Sequence, residues 1–128
     1  MKRPWRQVQP FEDGRDYLVL ASSIPARRRT STARLFKGSR AVAAQLELAH
    51  GVVGFSMLAR PLRKQYATLS VWVDDAALRA FATSTPHAKL MDDLAPEMAP
   101  TRFRRWTIQG GDGRPRWAEA LARLAQPD

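Results

Sequence analysis

The segment Tyr66-Ala67-Thr68-Leu69-Ser70-Val71-Trp72-Val73 constrains the fold of this chain more than any other stretch. Side chains alternate along a strand. Ala67, Leu69, Val71 and Val73 therefore share one face, and Tyr66, Thr68, Ser70 and Trp72 share the other. Residues 52–59 form a second apolar, strand-length run, and Arg60-Pro61-Leu62-Arg63-Lys64-Gln65 is a charged turn between the two. So short a connection predicts an antiparallel hairpin.

Around this hairpin the apolar spacing changes period. Residues 17–24 are an apolar strand that Pro25 ends. A basic connection follows, in which Thr30, Ser31 or Thr32 can cap a helix by accepting a free backbone N–H. From 33 to about 50, Leu35, Phe36, Val42, Leu46 and Ala49 fall on one helical stripe, and Gly51 stops it. Gly38 lies inside and costs about 1 kcal/mol relative to alanine, which argues for a start near Ser39. Asp74 or Asp75 caps a second helix over 76–84, with Leu78 and Phe81 on its buried face. Pro86 interrupts it. Residues 87–98 resume the helix with Leu90, Met91 and Leu94, although Pro96 disturbs its end. Residues 101–108 are a fourth strand, Gly110-Gly111-Asp112-Gly113 is a flexible break, and 117–124 form a short tail helix with Trp117, Leu121 and Leu124 on one face.

The order is βαββαβ plus a C-terminal helix. It predicts a ferredoxin-like α+β domain with a four-stranded antiparallel sheet and two helices on one face. Residues 1–16 read as an irregular lead-in, 17–108 as the domain, and 109–128 as a C-terminal loop and helix. With 128 residues, 45% of them hydrophobic, the chain can bury one core.

Helices packed on one face of such a sheet leave the other without cover. On the hairpin that second face takes Tyr66, Thr68, Ser70 and Trp72, and residues 52–59 are apolar on both sides. Large exposed apolar patches mark interfaces, so a homodimer packed sheet against sheet about a two-fold axis is expected. The plainer alternative is a monomer whose N-terminal segment or tail helix covers that face.

Several function classes are bounded by composition. The chain has no cysteine, which excludes disulfides, thiolate metal sites and a cysteine nucleophile. No apolar run reaches the roughly 18 residues of a membrane span. The basic N-terminus is followed by no apolar signal core. A soluble, cytoplasmic protein is expected. The net charge of +9 raises nucleic acid or an anionic ligand as partners, through the clusters Arg27-Arg28-Arg29, Arg60/Arg63/Lys64 and Arg102/Arg104/Arg105. RNA-recognition domains share the βαββαβ order but need glycines and paired aromatics on their third strand. Tyr66–Val73 lacks them, which argues against nucleic acid.

The stretch Leu69-Ser70-Val71-Trp72-Val73-Asp74-Asp75-Ala76-Ala77-Leu78-Arg79-Ala80-Phe81, with Thr83-Ser84-Thr85-Pro86-His87 and Leu90-Met91 after it, carries a resemblance. A strand with Ser-x-Trp, an Ala-x-x-Phe helix and a His about six residues later resemble the dimeric α+β barrel superfamily. More narrowly, the stretch is similar to the antibiotic-biosynthesis-monooxygenase-like branch and to bacterial proteins similar to spheroidene monooxygenase. The resemblance covers about residues 17–108. It implies a homodimer and, in each subunit, an aromatic-lined pocket between helices and sheet for a small-molecule ligand. It also implies one of several activities found there: cofactor-free quinone-forming oxygenation, haem degradation or isomerisation. The haem-degrading branch keeps its iron-binding His one turn further along the second helix, where this chain has Met91. No cofactor is therefore expected, with haem held by Met91 or His87 as the alternative.

His87 is the first candidate for catalysis. Imidazole titrates near neutral pH and can move a proton or donate to a substrate oxygen; capping or packing after Pro86 is the other reading. Trp72, Phe81, Phe55 and Trp106 are candidates to line a pocket for a planar substrate, with Ser70 and Met91 beside them, or else to be plain core. Tyr66 shares the Ser70 face as a further donor, whereas His50, before Gly51, suits a helix end. Asp92, Asp93 and Glu97 with His87 allow a mixed metal site on paper, but their spacing matches no strong signature and suits a solvated face. The function expected is a monooxygenase-like protein with a small aromatic or otherwise apolar substrate. A non-catalytic ligand- or haem-binding protein is the alternative, and an RNA-binding module the remote one.

Overall fold

The computed structural model describes residues 2–127; Met1 and Asp128, the ends of the lead-in and of the C-terminal segment, lie outside it. In chain order the elements are β1 (Lys2–Gln7), β2 (Asp16–Pro25), α1 (Thr32–Glu47), β3 (Val52–Arg60), β4 (Gln65–Trp72), α2 (Asp75–Thr83), α3 (Thr85–Leu94), β5 (Arg102–Gln109) and α4 (Trp117–Ala125). The sheet has five strands in the order β1-β3-β4-β2-β5. Every neighbouring pair is antiparallel. The strands expected from the sequence are β2 to β5, in the ferredoxin-like order.

The fifth strand corrects the four-stranded expectation. Residues 2–7 are not irregular: they pair with β3 along the sheet edge, with a register shift between Arg3 and Arg6. An edge strand tolerates Pro4 because one row of its N–H groups needs no partner in the sheet. Trp5 packs over Gly54, where an added Cβ would stand 2.3 Å from the indole. Gly54 thus makes the room that lets β1 close on β3.

Helix α1 runs through Gly38 instead of starting after it. The reason is tertiary. Gly38 lies against Leu94 of α3, with space for a Cβ only 2.5 Å from Leu94 Cδ1. The close approach of α1 and α3 offsets the helical penalty of glycine. The expected hydroxyl cap is also absent. Ser31 stands at the N-cap without a capping bond, wholly buried, its hydroxyl without a partner among the described residues. Removing an unsatisfied buried hydroxyl relieves its desolvation penalty. Ser31→Ala is therefore expected to leave stability unchanged or to raise it by up to about 1 kcal/mol. A thermal melt that fell as for a lost cap, by about 1 kcal/mol, would contradict this.

Helix α2 begins as expected: Asp74 Oδ1 accepts the Ala77 N–H at 2.8 Å. Arg105 and Arg79 both pair with Asp75. The hydrogen bond from Arg105 holds the Asp75 carboxyl below the ordinary aspartate range, and it ties the start of α2 to β5. Residues 110–112 form one 3-10 turn closed by reciprocal bonds between Gln109 and Asp112, not a loose break.

The two sheet faces are covered differently from the expectation. Tyr66, Ser70 and Trp72 face the helical layer of α1, α2 and α3, where Trp72 joins Phe55, Met57, Leu46, Ala77 and Leu78 in one core. Leu69 and Val71 turn the other way and pack with Val19, Ala21, Val53, Ala120 and Leu124. That second core is closed by α4, with Ala120 0% and Leu124 6% exposed, and by Trp5 and Phe11 from the N-terminal segment. Arg104 Nε donates to the Arg123 carbonyl at 3.1 Å, and the Arg123 guanidinium lies 4.4 Å over Trp106. Trp117 Nε1 donates to Ser56 Oγ at 3.0 Å, and Ser56 Oγ donates to the Arg3 carbonyl at 2.6 Å. One chain therefore covers both faces of its own sheet. Among the described residues, the tail helix and the N-terminal segment cover the second face, as the plainer alternative had it.

Candidate functional site

A cavity of about 770 Å³ lies between the sheet and the α1–α3 layer, within the size range of small-molecule sites. Its floor is the helix-facing side of the strands. Leu20, Ser22 and Ile24 come from β2, Met57 from β3, and Tyr66, Thr68, Ser70 and Trp72 from β4. Its roof is Leu35, Gly38, Val42 and Leu46 of α1, Leu78 and Phe81 of α2, and His87, Met91 and Leu94 of α3. Phe103 of β5, exposed, stands at one margin.

Strand register explains why the floor is mixed. Ser22 pairs with Thr68 and Leu20 with Ser70 across β2 and β4, and paired residues point to the same face. Ser22, Thr68 and Ser70 thus place three aliphatic hydroxyls on a floor that also carries the Tyr66 phenol. Ser22 and Ser70 are buried, at 4% and 5% exposure. Trp72 Nε1 donates to Ser70 Oγ at 2.9 Å. Because that bond uses an acceptor lone pair, the Ser70 O–H remains free to donate. Tyr66 is committed differently, donating its O–H to the Thr32 carbonyl at 3.1 Å.

At the α2–α3 corner three rings stack in sequence. Trp72 and Phe81 lie 5.3 Å apart, and Phe81 and His87 lie 4.7 Å apart. His87 Nδ1 is 3.1 Å from the Ala82 carbonyl oxygen. A carbonyl only accepts, so this contact puts the ring proton on Nδ1 and leaves Nε2 as the acceptor of the neutral imidazole. Among the described residues no aspartate or glutamate lines the cavity.

Of the residues singled out in the sequence, His87, Trp72, Phe81, Ser70 and Met91 come together around this cavity. Phe55 does not line it. It is buried beside Trp72 and faces a smaller cleft between β1 and α1. Trp106 is on the wrong side of the sheet: it pairs with Val19, which faces α4. Parity along β5 sends Phe103 to the cavity side and Trp106 away from it. Asp92 and Asp93 are exposed, and Glu97 pairs with Arg28 at 3.6 Å. Among the described residues no three His, Asp or Glu side chains gather into a metal-binding group, and no helix is long and apolar enough to cross a membrane. Sequence reasoning missed Ser22, Thr68, Met57 and Met98 as lining residues. The alternation of β4 pointed to Thr68, and knowledge of its pairing with β2 would have added Ser22.

No family model matches the chain, and no curated protein matches it. Solved structures do. SnoaB, a cofactor-independent oxygenase from Streptomyces nogalater, superposes with a TM-score of 0.59 at 17% identity, over 73% of this chain and 94% of its own. PA3566 from Pseudomonas aeruginosa gives 0.66 at 15% identity, over 77% of this chain and 96% of its own. The NE2512 protein of unknown function from Nitrosomonas europaea gives 0.63 at 17% identity, over 73% and 89%. At these identities the likeness shows the fold alone: the chain shares the α+β architecture of these structures.

Proposed function

We propose that the protein is a cofactor-independent monooxygenase-like enzyme that takes a small aromatic, phenolic substrate into the cavity between sheet and helices. The observation that carries this reading is the cavity's chemistry. It is a large apolar chamber with hydroxyls on its floor and one histidine on its wall, whose Nδ1–H is tied to a backbone carbonyl. The resemblance to SnoaB supports it at the level of fold.

In this reading the ring of the substrate lies against Trp72 and Phe81, and His87 Nε2 accepts its phenolic proton. The Ser70 O–H donates to the resulting oxyanion. The electron-rich anion reduces O₂; a ring CH₂ becomes C=O, and the second oxygen atom leaves as water.

Oxygen uptake with an anthrone or a hydroxyquinol tests the reading. Wild type is expected to turn the substrate over. His87→Ala is expected to lose about 10²-fold in kcat. Undiminished turnover by His87→Ala would remove His87 as the base. No oxygen uptake by wild type with any phenolic substrate that binds would leave the cavity as a non-catalytic ligand site.

A further inference from the structure

His87 follows a corner that is bonded within itself. The Phe81 carbonyl accepts the Ser84 N–H at 3.1 Å and the Ser84 hydroxyl at 2.7 Å. The Ala82 carbonyl oxygen stands 3.1 Å from His87 Nδ1, and the Phe81 ring lies 4.7 Å from the imidazole. These partners all lie within residues 81–84, at the end of α2. Helix α1 reaches the corner through Gln45, whose Nε2 donates to the Pro86 carbonyl at 3.2 Å. That carbonyl belongs to the planar peptide that also supplies the His87 N–H. The amide of Gln45 therefore grips the plane from which His87 departs.

Gln45 is an unusual residue for this place. At its other end α3 meets α1 through apolar packing, with Leu94 filling the space over Gly38. A leucine or methionine at 45 would extend that packing to the corner. Gln45 instead buries its amide oxygen, and Oε1 has no partner among the described residues. An unsatisfied buried acceptor lowers stability. Turning the amide over does not relieve it, because the oxygen would then face the Pro86 carbonyl, acceptor against acceptor. The stabilising part of this side chain is its N–H, and what the N–H holds is the Pro86–His87 peptide.

We propose that Gln45 is a positioning residue for His87. It fixes the peptide that carries the histidine and so keeps Nδ1 within reach of the Ala82 carbonyl. Which ring nitrogen holds the proton is set by the bond that the other side of the ring makes. With Nδ1–H tied to Ala82, Nε2 stays the acceptor for a ligand in the chamber. This rests on the reading of His87 as the base and adds the residue that sets its tautomer. Gln45 does not line the chamber, so it acts through His87 alone. Without its grip the Pro86–His87 peptide can turn, the Nδ1 contact lengthens, and the proton is shared with Nε2.

The test uses the full chain and the variants Gln45→Leu and Gln45→Met, which remove both amide atoms and keep most of the volume. Long-range nitrogen–proton NMR spectra of the His87 ring report which nitrogen carries the proton. In wild type the proton is expected on Nδ1. In both variants the averaged ring shifts should move towards the Nε2–H form. Melting temperatures should stay within about 5 °C of wild type, because the lost bond and the relieved oxygen offset each other. With an anthrone as substrate, kcat should fall about tenfold and KM stay unchanged. Ring shifts that remain as in wild type overturn the proposal while the role of His87 stands. Shifts that move only together with a fall of more than about 5 °C also overturn it, because the corner has then simply loosened. If wild type carries the proton on Nε2, the positioning and the assignment of the base fail together. If wild type turns over no phenolic substrate, the functional reading fails, and the ring shifts alone decide whether Gln45 sets the tautomer.

Discussion

Replacing Trp72 by alanine is expected to destabilise the protein by about 3–5 kcal/mol. The indole is 1% exposed and lies at the centre of the helix-side core, against Phe81 and beside Phe55 and Leu78. Two losses add. The apolar body leaves a void that rigid neighbours fill only in part. The N–H that Ser70 Oγ accepts disappears as well. Trp72→Phe separates them in part: it keeps one ring but loses the hydrogen bond and some of the buried apolar body, so about 2–3 kcal/mol is expected. Urea unfolding of both variants measures the difference. A Trp72→Ala protein within 1 kcal/mol of wild type would mean that the cavity beside Trp72 collapses readily. A chamber that gives way like that is no preformed site.

Deleting residues 115–128 is expected to unfold the protein or to turn it into an aggregating species. The tail helix covers Val19, Ala21, Val53, Leu69 and Val71, all at most 1% exposed. Burial of a large apolar side chain is worth about 1.5–3 kcal/mol. Loss of Leu124 and Trp117 therefore costs on the order of 4 kcal/mol before the newly bared sheet is counted. Typical domains hold only about 5–15 kcal/mol in all. Circular dichroism and light scattering read the outcome. A truncated chain that stays folded as a dimer would show that the sheet face can take a second copy. The sheet-on-sheet association expected from the sequence would then be real, with the tail helix as its competitor.

Local pattern revealed the elements whose cause is local. Alternation in residues 66–73 and the Asp74 cap both appear in the structure as read. What depends on distant partners was hidden. Nothing in Lys2-Arg3-Pro4-Trp5 signals a strand, because an edge strand is held by backbone bonds and by Trp5 fitting over Gly54, far along the chain. Gly38 reads as a helix breaker until Leu94 is placed against it. The face assignment failed for a similar reason. Parity says which residues of a strand share a side, but not which side meets which helix. The same gap separated the aromatic candidates. Trp72 and Trp106 look equivalent in sequence, yet register with β2 sends one into the chamber and the other beneath Arg123. His87, Phe81, Ser70 and Met91 were found because the Trp72-to-Met91 stretch is compact in sequence as well as in space.

Members of two of the basic clusters hold elements of the fold together. Arg27 donates to the Met98 carbonyl, Arg28 meets Glu97, Arg104 holds the tail helix, and Arg105 holds Asp75. Their charges serve contacts between elements.

The account stands on the chamber between sheet and helices being the place where ligand binds. A backbone amide NMR titration with an anthrone tests that directly. The predicted result is a set of saturable shifts confined to the chamber: Ser22 of β2, Thr68 and Ser70 of β4, Phe81 of α2, and His87 and Met91 of α3. Shifts clustered on α4 and the Leu69–Val71 face, or none at saturating ligand, would contradict it.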